Sequence, residues 1–500
     1  MRYRIFFVVF ILLFTSFSAV AQLIPQPNVH PVQQLSCRVN YSNILVRKNW
    51  APVSLDHQEF LDNILQSPTI ANNDIFVTRD NGKFYGFNNA GEPLGQFPWL
   101  LTNWDYANPI IATGNVAEDA LDEVVVVSKP INDSQGTKVS VFYKAGGDYD
   151  LYNSWVIEGF STLDFHSYPT IGDIDGDEVN EIILFVGNKL YAWHANGNVL
   201  PGFPFVADNT SYSSVTLADF DNDGKKEIVA QDTSIGSGNL YLINYQGEEL
   251  WRRTVRTISM SPVIGDVDND GELEIIAVET SVYLDNKIFV FDGQGNIEQS
   301  WVTGRQFTSN TDAPALADLD NDNDLEIILY HRFNELRNKL YAFHHTGSIV
   351  NGWPYGDFFN NAANTSPTII DICNDGKAEV FAIVENEPFN GEAGNWKLVL
   401  LSSNGQVRKE IELKAFSGFS TVFANNVISV PVIKDIDGNG KPEIIFSWFY
   451  MAQWGAPTSQ YWAFIDAYEL NINPFNYTQQ TKIVWPQFQG DFSLTGLYYN

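Results

Sequence analysis

Cysteine is nearly missing from this chain: Cys37 and Cys373 are the only two in 500 residues. So few exclude a disulfide scaffold of this size. The two could pair in an oxidising compartment, and their spacing leaves that open. Basic residues are scarce too, 29 Lys and Arg against 60 Asp and Glu, for a formal net charge of −31. A nucleic acid or an anionic membrane surface is therefore excluded as the expected partner. Beyond residue 21 no apolar run is long enough for a helix to span a bilayer. No nucleophile elbow, phosphate-binding glycine loop or zinc-ligand spacing is present. The seven histidines are scattered, with His344 and His345 at an expected exposed strand end. No stretch carries a helical apolar period.

Glycine (36), proline (22) and aromatics (14%) are plentiful, which suits many short strands joined by tight turns. The first residues read as a secretory signal. Arg2 and Arg4 precede an apolar run from Ile5 to Phe14, and Ala19-Val20-Ala21 supplies a small-x-small cleavage site. Residues 1–21 are thus expected to be removed, placing the protein outside the cell, at a cell surface or in a periplasm. Residues 22–64, proline-rich at their start, are expected to form an extended lead-in to a domain over 65–500.

That domain is repetitive. "SPVIGDVDNDGELEIIAV" from Ser261 has relatives beginning at Tyr168, Ser214, Ala313, Ser366 and Val430, with degenerate copies at Asn108 and Ser67. Each is followed by a segment such as "KLYAWHANGNVLPGFPF" from Lys189, in which alternating apolar residues flank an Asn-Gly or Gln-Gly turn, the mark of a hairpin. Each unit thus supplies four strands. Units begin near residues 68, 109, 169, 215, 262, 314, 367 and 431. Four strands every 41 to 64 residues predict an all-β β-propeller of four-stranded blades. Eight blades fit best and seven is the alternative, with residues 22–66 or the tail free to complete another unit's sheet.

Between the first two strands of a unit lies an acidic loop. With Asp266 as position 1, acids stand at positions 1, 3, 5 and 9, and glycine at 6. Alternate side chains in a tight loop converge, and three or four carboxylates crowd unfavourably unless a cation sits among them. Oxygen-only donors suit Ca²⁺. Five loops carry the set: Asp173, Asp175, Asp177, Glu181; Asp219, Asp221, Asp223, Glu227; Asp266, Asp268, Asp270, Glu274; Asp318, Asp320, Asp322, Glu326; and Asp435, Asp437, Asn439, Glu443. About five structural Ca²⁺ ions are expected. Asn323 and Glu178 replace the position-6 glycine in two loops, and the turn at Glu178 is the less expected. A sixth loop has Cys373 at position 3, a poor calcium donor, and the region from Asn115 keeps only Asp119 and Glu123. An EF-hand is excluded because position 12 is Leu184, Ala230, Ala277, Leu329 or Phe446, never glutamate, and the flanks read as strands.

The acid pattern, strand flanks and repeat length resemble the FG-GAP/VCBS repeat family, calcium-loop propellers that include integrin α-subunit heads. The resemblance covers roughly residues 65–490. No "FG" precedes the loops and no "GAP" follows the second strand, so the chain looks closer to secreted bacterial VCBS-type members; its "VWPQFQGDFSLTGLY" from Val484 is similar to their closing segment. The resemblance implies that calcium ties the first two strands of a blade together. It implies no activity.

The connections between units are aromatic. Trp104, Tyr106, Phe165, His166, Phe307, Phe358, Phe359 and Phe419 are candidates, as a cluster, for stacking on sugar rings; for any single one of them, packing between blades or plugging the channel is the favoured reading. The regularly placed Phe97, Tyr191, Trp193, Phe203, Tyr341 and Trp353 are assigned to packing. The expected role is a binding or adhesion module for an extracellular glycan or protein. The alternative is a calcium-dependent polysaccharide lyase, since the repeats are also similar to those of rhamnogalacturonan lyases; Arg305 or Arg332 would then be candidate bases.

Overall fold

The structure is a computed structural model. It describes residues 44–48, most of 67–471, and 483–485. Of the two units into which the chain divides, residues 1–38 lie wholly outside the described residues and 39–500 carry every sheet. The expected signal segment therefore lies outside as well, as does most of the lead-in. Among the described residues there is no helix, hence none long and apolar enough to cross a membrane.

The unit 39–500 holds eight antiparallel sheets, and they form an eight-bladed β-propeller. The first strands start at Thr69, Ile110, Thr170, Thr216, Val263, Ala315, Thr368 and Val432, each one residue after a repeat start read from the sequence. These strands are three to five residues long, and seven of the eight are wholly buried. The second strands, such as Glu181–Val186 and Glu274–Val278, are buried along their length. The fourth strands alternate, as Glu249–Val255 does, because one face meets solvent.

Both faces of the inner strands must be covered, and neighbouring blades cover them. Ile70, Val77 and Phe87 of blade one pack with Val432, Ile445 and Ile465 of blade eight, which closes the ring. Phe76 and Phe84 pack with Val124 and Phe142 of blade two. Corresponding clusters fill the other gaps. A belt of hydroxyls also links the inner strands: Thr170 Oγ1 donates to Val215 O at 3.0 Å, Thr368 Oγ1 to Pro431 O at 2.8 Å, and Ser366 Oγ to Ala313 O at 2.7 Å, while Ser261 Oγ accepts from Ser214 N. The sequence reading gave these Ser and Thr residues no role.

Two details depart from four strands per unit. In blades one, three and six, proline interrupts the hairpin, because it has no N–H for the ladder. The turn then closes with a single bridge, as in Trp193↔Val199, and a fourth strand such as Phe205–Val206 forms further on. The last unit supplies only three strands of its blade's ladder, Val432–Lys434, Glu443–Gln453 and Ser459–Leu470. The outer strand is Leu45–Arg47, paired antiparallel to Ser459–Leu470. The late strand Ile483–Trp485 pairs with the inner strand of blade seven, Thr368–Ile370.

The packing assignment of the regular aromatics holds. Trp193 is buried and lies 5.8 Å from Trp155 of the preceding blade, and Phe97 lies edge-on 6.5 Å from Tyr149 of the next, while Tyr191 and Tyr341 stack on Trp193 and Phe343 of their own strands. Trp353 donates its indole N–H to Ser403 O of the next blade. A second set joins them: Trp155, Trp251 and Trp301 on fourth strands lie over the hairpin glycines Gly197, Gly295 and Gly347 of the next blade. A Cβ on Gly347, whose φ is +84°, would stand 2.6 Å from the Trp301 ring. Gly347→Ala is expected to destabilise the protein by roughly 1–3 kcal/mol, as overpacking and a strained φ do; equilibrium urea unfolding measures it.

Candidate cation loops

The acidic loops share one frame, and its anchor is the glutamate at position 9. This residue opens the second strand and is 0% exposed at Glu123, Glu181, Glu326 and Glu443. Its Oε2 accepts the backbone N–H of position 2. The bond recurs at Glu123, Glu181, Glu227, Glu274, Glu326, Glu379 and Glu443, between 2.6 and 3.0 Å. Position 2 is apolar, and Ile174, Val267, Leu319, Ile372 and Ile436 are buried there, so the loop is pinned beside its own anchor.

The aspartate at position 1 turns the loop. Its Oδ2 accepts the N–H of position 6, at 2.8 to 3.1 Å, from Asp173, Asp219, Asp266, Asp318, Asp371 and Asp435. Position 6 is left-handed in each of these loops, including Asn323 (φ 73°) and Glu178 (φ 71°). The turn at Glu178 therefore forms despite its side chain. Position 4 is left-handed as well, at Gly176, Asn222, Asn269, Asn321 and Gly438, which accounts for glycine and asparagine there. The sequence reading missed that signal. The position-5 side chain accepts the N–H of position 7, as Asp223 Oδ1 does from Lys225 N at 2.8 Å.

With these bonds made, the remaining oxygens face inward. Asp173, Asp175 and Glu181 can each place one carboxylate oxygen within 4.8 Å of the others, as can Asp219, Asp221 and Glu227; Asp266, Asp268 and Glu274; and Asp318, Asp320 and Asp322. Asp175 Oδ1 and Asp268 Oδ1 are buried and accept no hydrogen bond. Glu181 Oε1 and Glu326 Oε1 also accept no hydrogen bond, although an imidazole stands by each, His194 Nδ1 at 3.4 Å and His344 Nδ1 at 3.0 Å. Buried, unpaired carboxylate oxygens are costly. An oxygen-only cluster of this kind fits a hard divalent cation.

The two histidines come from the hairpin between strands three and four, which lies at the same end of the blade as the acidic loop. His344 and His345 were expected to be exposed; their side chains are 24% and 23% accessible, against the loop carboxylates Glu326 and Asp324. The expectation failed because strands two and three are neighbours, so a hairpin residue falls beside position 9.

The fifth loop differs. Lys48 Nζ sits 2.7 Å from Asp437 Oδ2 and 2.7 Å from Glu443 Oε1. In the sixth, Cys373 is disulfide-bonded, so no thiolate stands at position 3. The 115–123 loop keeps the Glu123 anchor but has Asn115 and Ala117 at positions 1 and 3.

The strand order puts the start of every first strand at the end opposite these loops. The candidates proposed there, Trp104, Tyr106, Phe165, His166, Phe307 and Phe419, lie outside the described residues, as does Arg332. Phe358 and Phe359 belong to strand Tyr355–Phe359 and Arg305 to Ile297–Arg305, where only their backbone is described.

Residues 266–329, which contain two successive acidic loops, match the FG-GAP-like repeat. That match and the eight four-stranded blades are consistent with an FG-GAP repeat propeller. FG-GAP repeats often bind calcium, and the propeller fold suggests a binding module. Two solved structures are similar to this propeller. One, described as the crystal structure of BBS1N in complex with ARL6DN soaked with lead, is 10% identical with a TM-score of 0.38, covering 74% of this chain and 94% of its own. The other, described as the structure of the Dos1 propeller, is 10% identical with a TM-score of 0.39, covering 82% of this chain and 78% of its own. Likenesses this distant carry no argument about function. No curated protein matches the chain.

The electrostatics of the acidic loops without an ion lead to two predictions. Burial, with the neighbouring aspartates adding to it, pushes Glu181, Glu274 and Glu326 up to about 8 and Glu123 and Glu227 up to about 7, from an ordinary 4.5. Between 4.5 and 8 the folded chain thus binds more protons than the unfolded one, so stability falls as pH rises through that window. In EDTA the melting temperature is expected to be higher at pH 6 than at pH 8.5. A flat or rising profile would refute the burial of these carboxyls. Glu178→Gly removes a Cβ from a left-handed position and is expected to stabilise by about 1 kcal/mol, read by the same unfolding assay.

Proposed function

We propose that this FG-GAP propeller is an extracellular binding module, stabilised by calcium in its acidic loops, that recognises a glycan or a protein. The observation that carries the calcium reading is the inward-facing set at positions 1, 3 and 9, with buried oxygens that no protein donor satisfies. The loops 173–181, 219–227, 266–274 and 318–326 have an acid at each of positions 1, 3, 5 and 9. The secretory pattern at residues 1–21 supports an extracellular setting, where calcium is millimolar. Sites of the affinity usual for extracellular modules then contribute about 0.4–1.4 kcal/mol each. Four such sites amount to several kcal/mol, comparable with a typical total of about 5–15 kcal/mol. Calcium is therefore structural in this reading, and recognition belongs to the opposite end, where the aromatic connections enter the first strands.

Two measurements test the reading. Metal analysis of protein dialysed against calcium is expected to find several ions per chain, and chelation to lower the melting temperature by several degrees; an unchanged melt after confirmed metal removal would sink the calcium reading. For recognition, the calcium-loaded protein is titrated with a panel of polysaccharides, uronate polymers included, while ultraviolet absorbance is followed. Saturable binding with a flat trace is expected. A rise from unsaturated product would replace the binding module with the lyase.

A further inference from the structure

The ring is closed at blade eight by a segment distant in sequence. Leu45–Arg47 pairs with the end of Ser459–Leu470, Leu45 opposite Leu470 and Arg47 opposite Tyr468. Asn471 N donates to Ile44 O at 2.7 Å and Lys48 N to Ala467 O at 2.9 Å, so the pairing is extended at both ends. The strand ends where the acidic loop 435–443 begins to cover the sheet. There the Lys48 side chain, 19% exposed, enters the loop.

Its ammonium lies 2.7 Å from Asp437 Oδ2, 2.7 Å from Glu443 Oε1 and 3.3 Å from Glu469 Oε2. Asp437 and Glu443 hold positions 3 and 9. At position 3 the contrast with the sister loops is direct: Asp175 Oδ1 and Asp268 Oδ1 accept no hydrogen bond, whereas Asp437 Oδ2 accepts one from Lys48. At position 9 Glu443 Oε1 is buried like Glu181 Oε1, but the ammonium stands 2.7 Å from it. The rest of the loop keeps the common frame: Asp435 turns it by accepting from Gly440 N, and Glu443 anchors it by accepting from Ile436 N. One donor is altered in the matching sense. Position 5 is the neutral Asn439, whose amide donates to Glu469 Oε2 at 2.8 Å, so this loop carries one negative charge fewer than its four sisters. With one ammonium its three acids leave a net −2, the same as four acids with one divalent cation.

Blade one, on the other side of the closure, is built on the same principle. It has no acidic loop, only a two-residue turn at Asn72-Asn73 with both residues left-handed. An ammonium serves it too: Lys144 Nζ of blade two lies 2.7 Å from Asp74 Oδ2 and donates to Asn72 O at 3.3 Å.

We propose that the Lys48 ammonium takes the place of a divalent cation in the loop 435–443, so that the strand Leu45–Arg47 closes the ring without metal, and that removing the ammonium opens this loop to calcium. The proposal rests on the calcium reading of the four sister loops. In a protein whose other loops lose stability when calcium is scarce, it keeps the seam of the ring independent of the ion.

The test compares wild type with Lys48→Met and, should that variant fold poorly, Lys48→Gln, both purified in calcium. Calcium per chain is counted by mass spectrometry after dialysis at a fixed free concentration, and melting is followed in EDTA. The variants are expected to carry one more calcium per chain than wild type and to melt several degrees lower in EDTA, with calcium restoring the difference. Asp437→Asn in the wild-type background is expected to leave the calcium count unchanged, whereas Asp268→Asn loses one. Equal calcium in wild type and variant, or loss of one ion in Asp437→Asn, overturns the proposal. The two readings fail separately: no calcium in wild type with one ion in Lys48→Met sinks the sister loops' calcium and leaves this proposal standing, while equal counts above zero do the reverse.

Discussion

A single hydrogen bond, from the backbone of loop position 2 to the buried glutamate at position 9, organises the cation end of this molecule. A glutamate opening a buried strand is a costly choice, because its carboxylate loses water. One oxygen recovers part of that loss from the backbone N–H. The other is left facing the loop centre, and every further feature answers it. Aspartates are brought in by left-handed residues at positions 4 and 6. The result is a cluster whose charge calls for a cation, metallic in four loops by our proposal and an ammonium in the fifth.

The frame of each loop is tied to its neighbour. Lys226 N of the fourth blade donates to Ile174 O of the third, Leu325 N of the sixth to Val267 O of the fifth, and Ala378 N of the seventh to Asp318 O of the sixth. Inner-strand hydroxyls make a second circuit, and tryptophans lying over hairpin glycines a third. The propeller thus has no free edge within its ring except the outer strands, and alternation between buried and exposed positions solvates those.

Much of this was legible in the sequence, because a repeat displays its rules several times. The acids at 1, 3, 5 and 9 fixed the loops, and the "SPVIGD"-like starts located every first strand to within one residue. Three things were not legible. Residues 22–66 or the tail were left free to complete another unit's sheet, and Leu45–Arg47 does so in blade eight, but at three residues it is too short for a period to show which residues pair or where. Lys48 meets Asp437 across 389 residues, a distance no local pattern spans. The left-handed position 4 was visible as a recurrent Gly or Asn, but it was overshadowed by the acids on either side.

The loop at 115–123 shows how the arrangement can vary between blades. Asn115 and Ala117 stand where its sisters have aspartate, yet Glu123 still receives the N–H of Val116 and the blade around it is intact. The buried anchor and the charged donors are thus separable: the bond from position 2 to position 9 and the packed blade do not need the aspartates. The number of charged loops can therefore differ from blade to blade while the architecture stays the same.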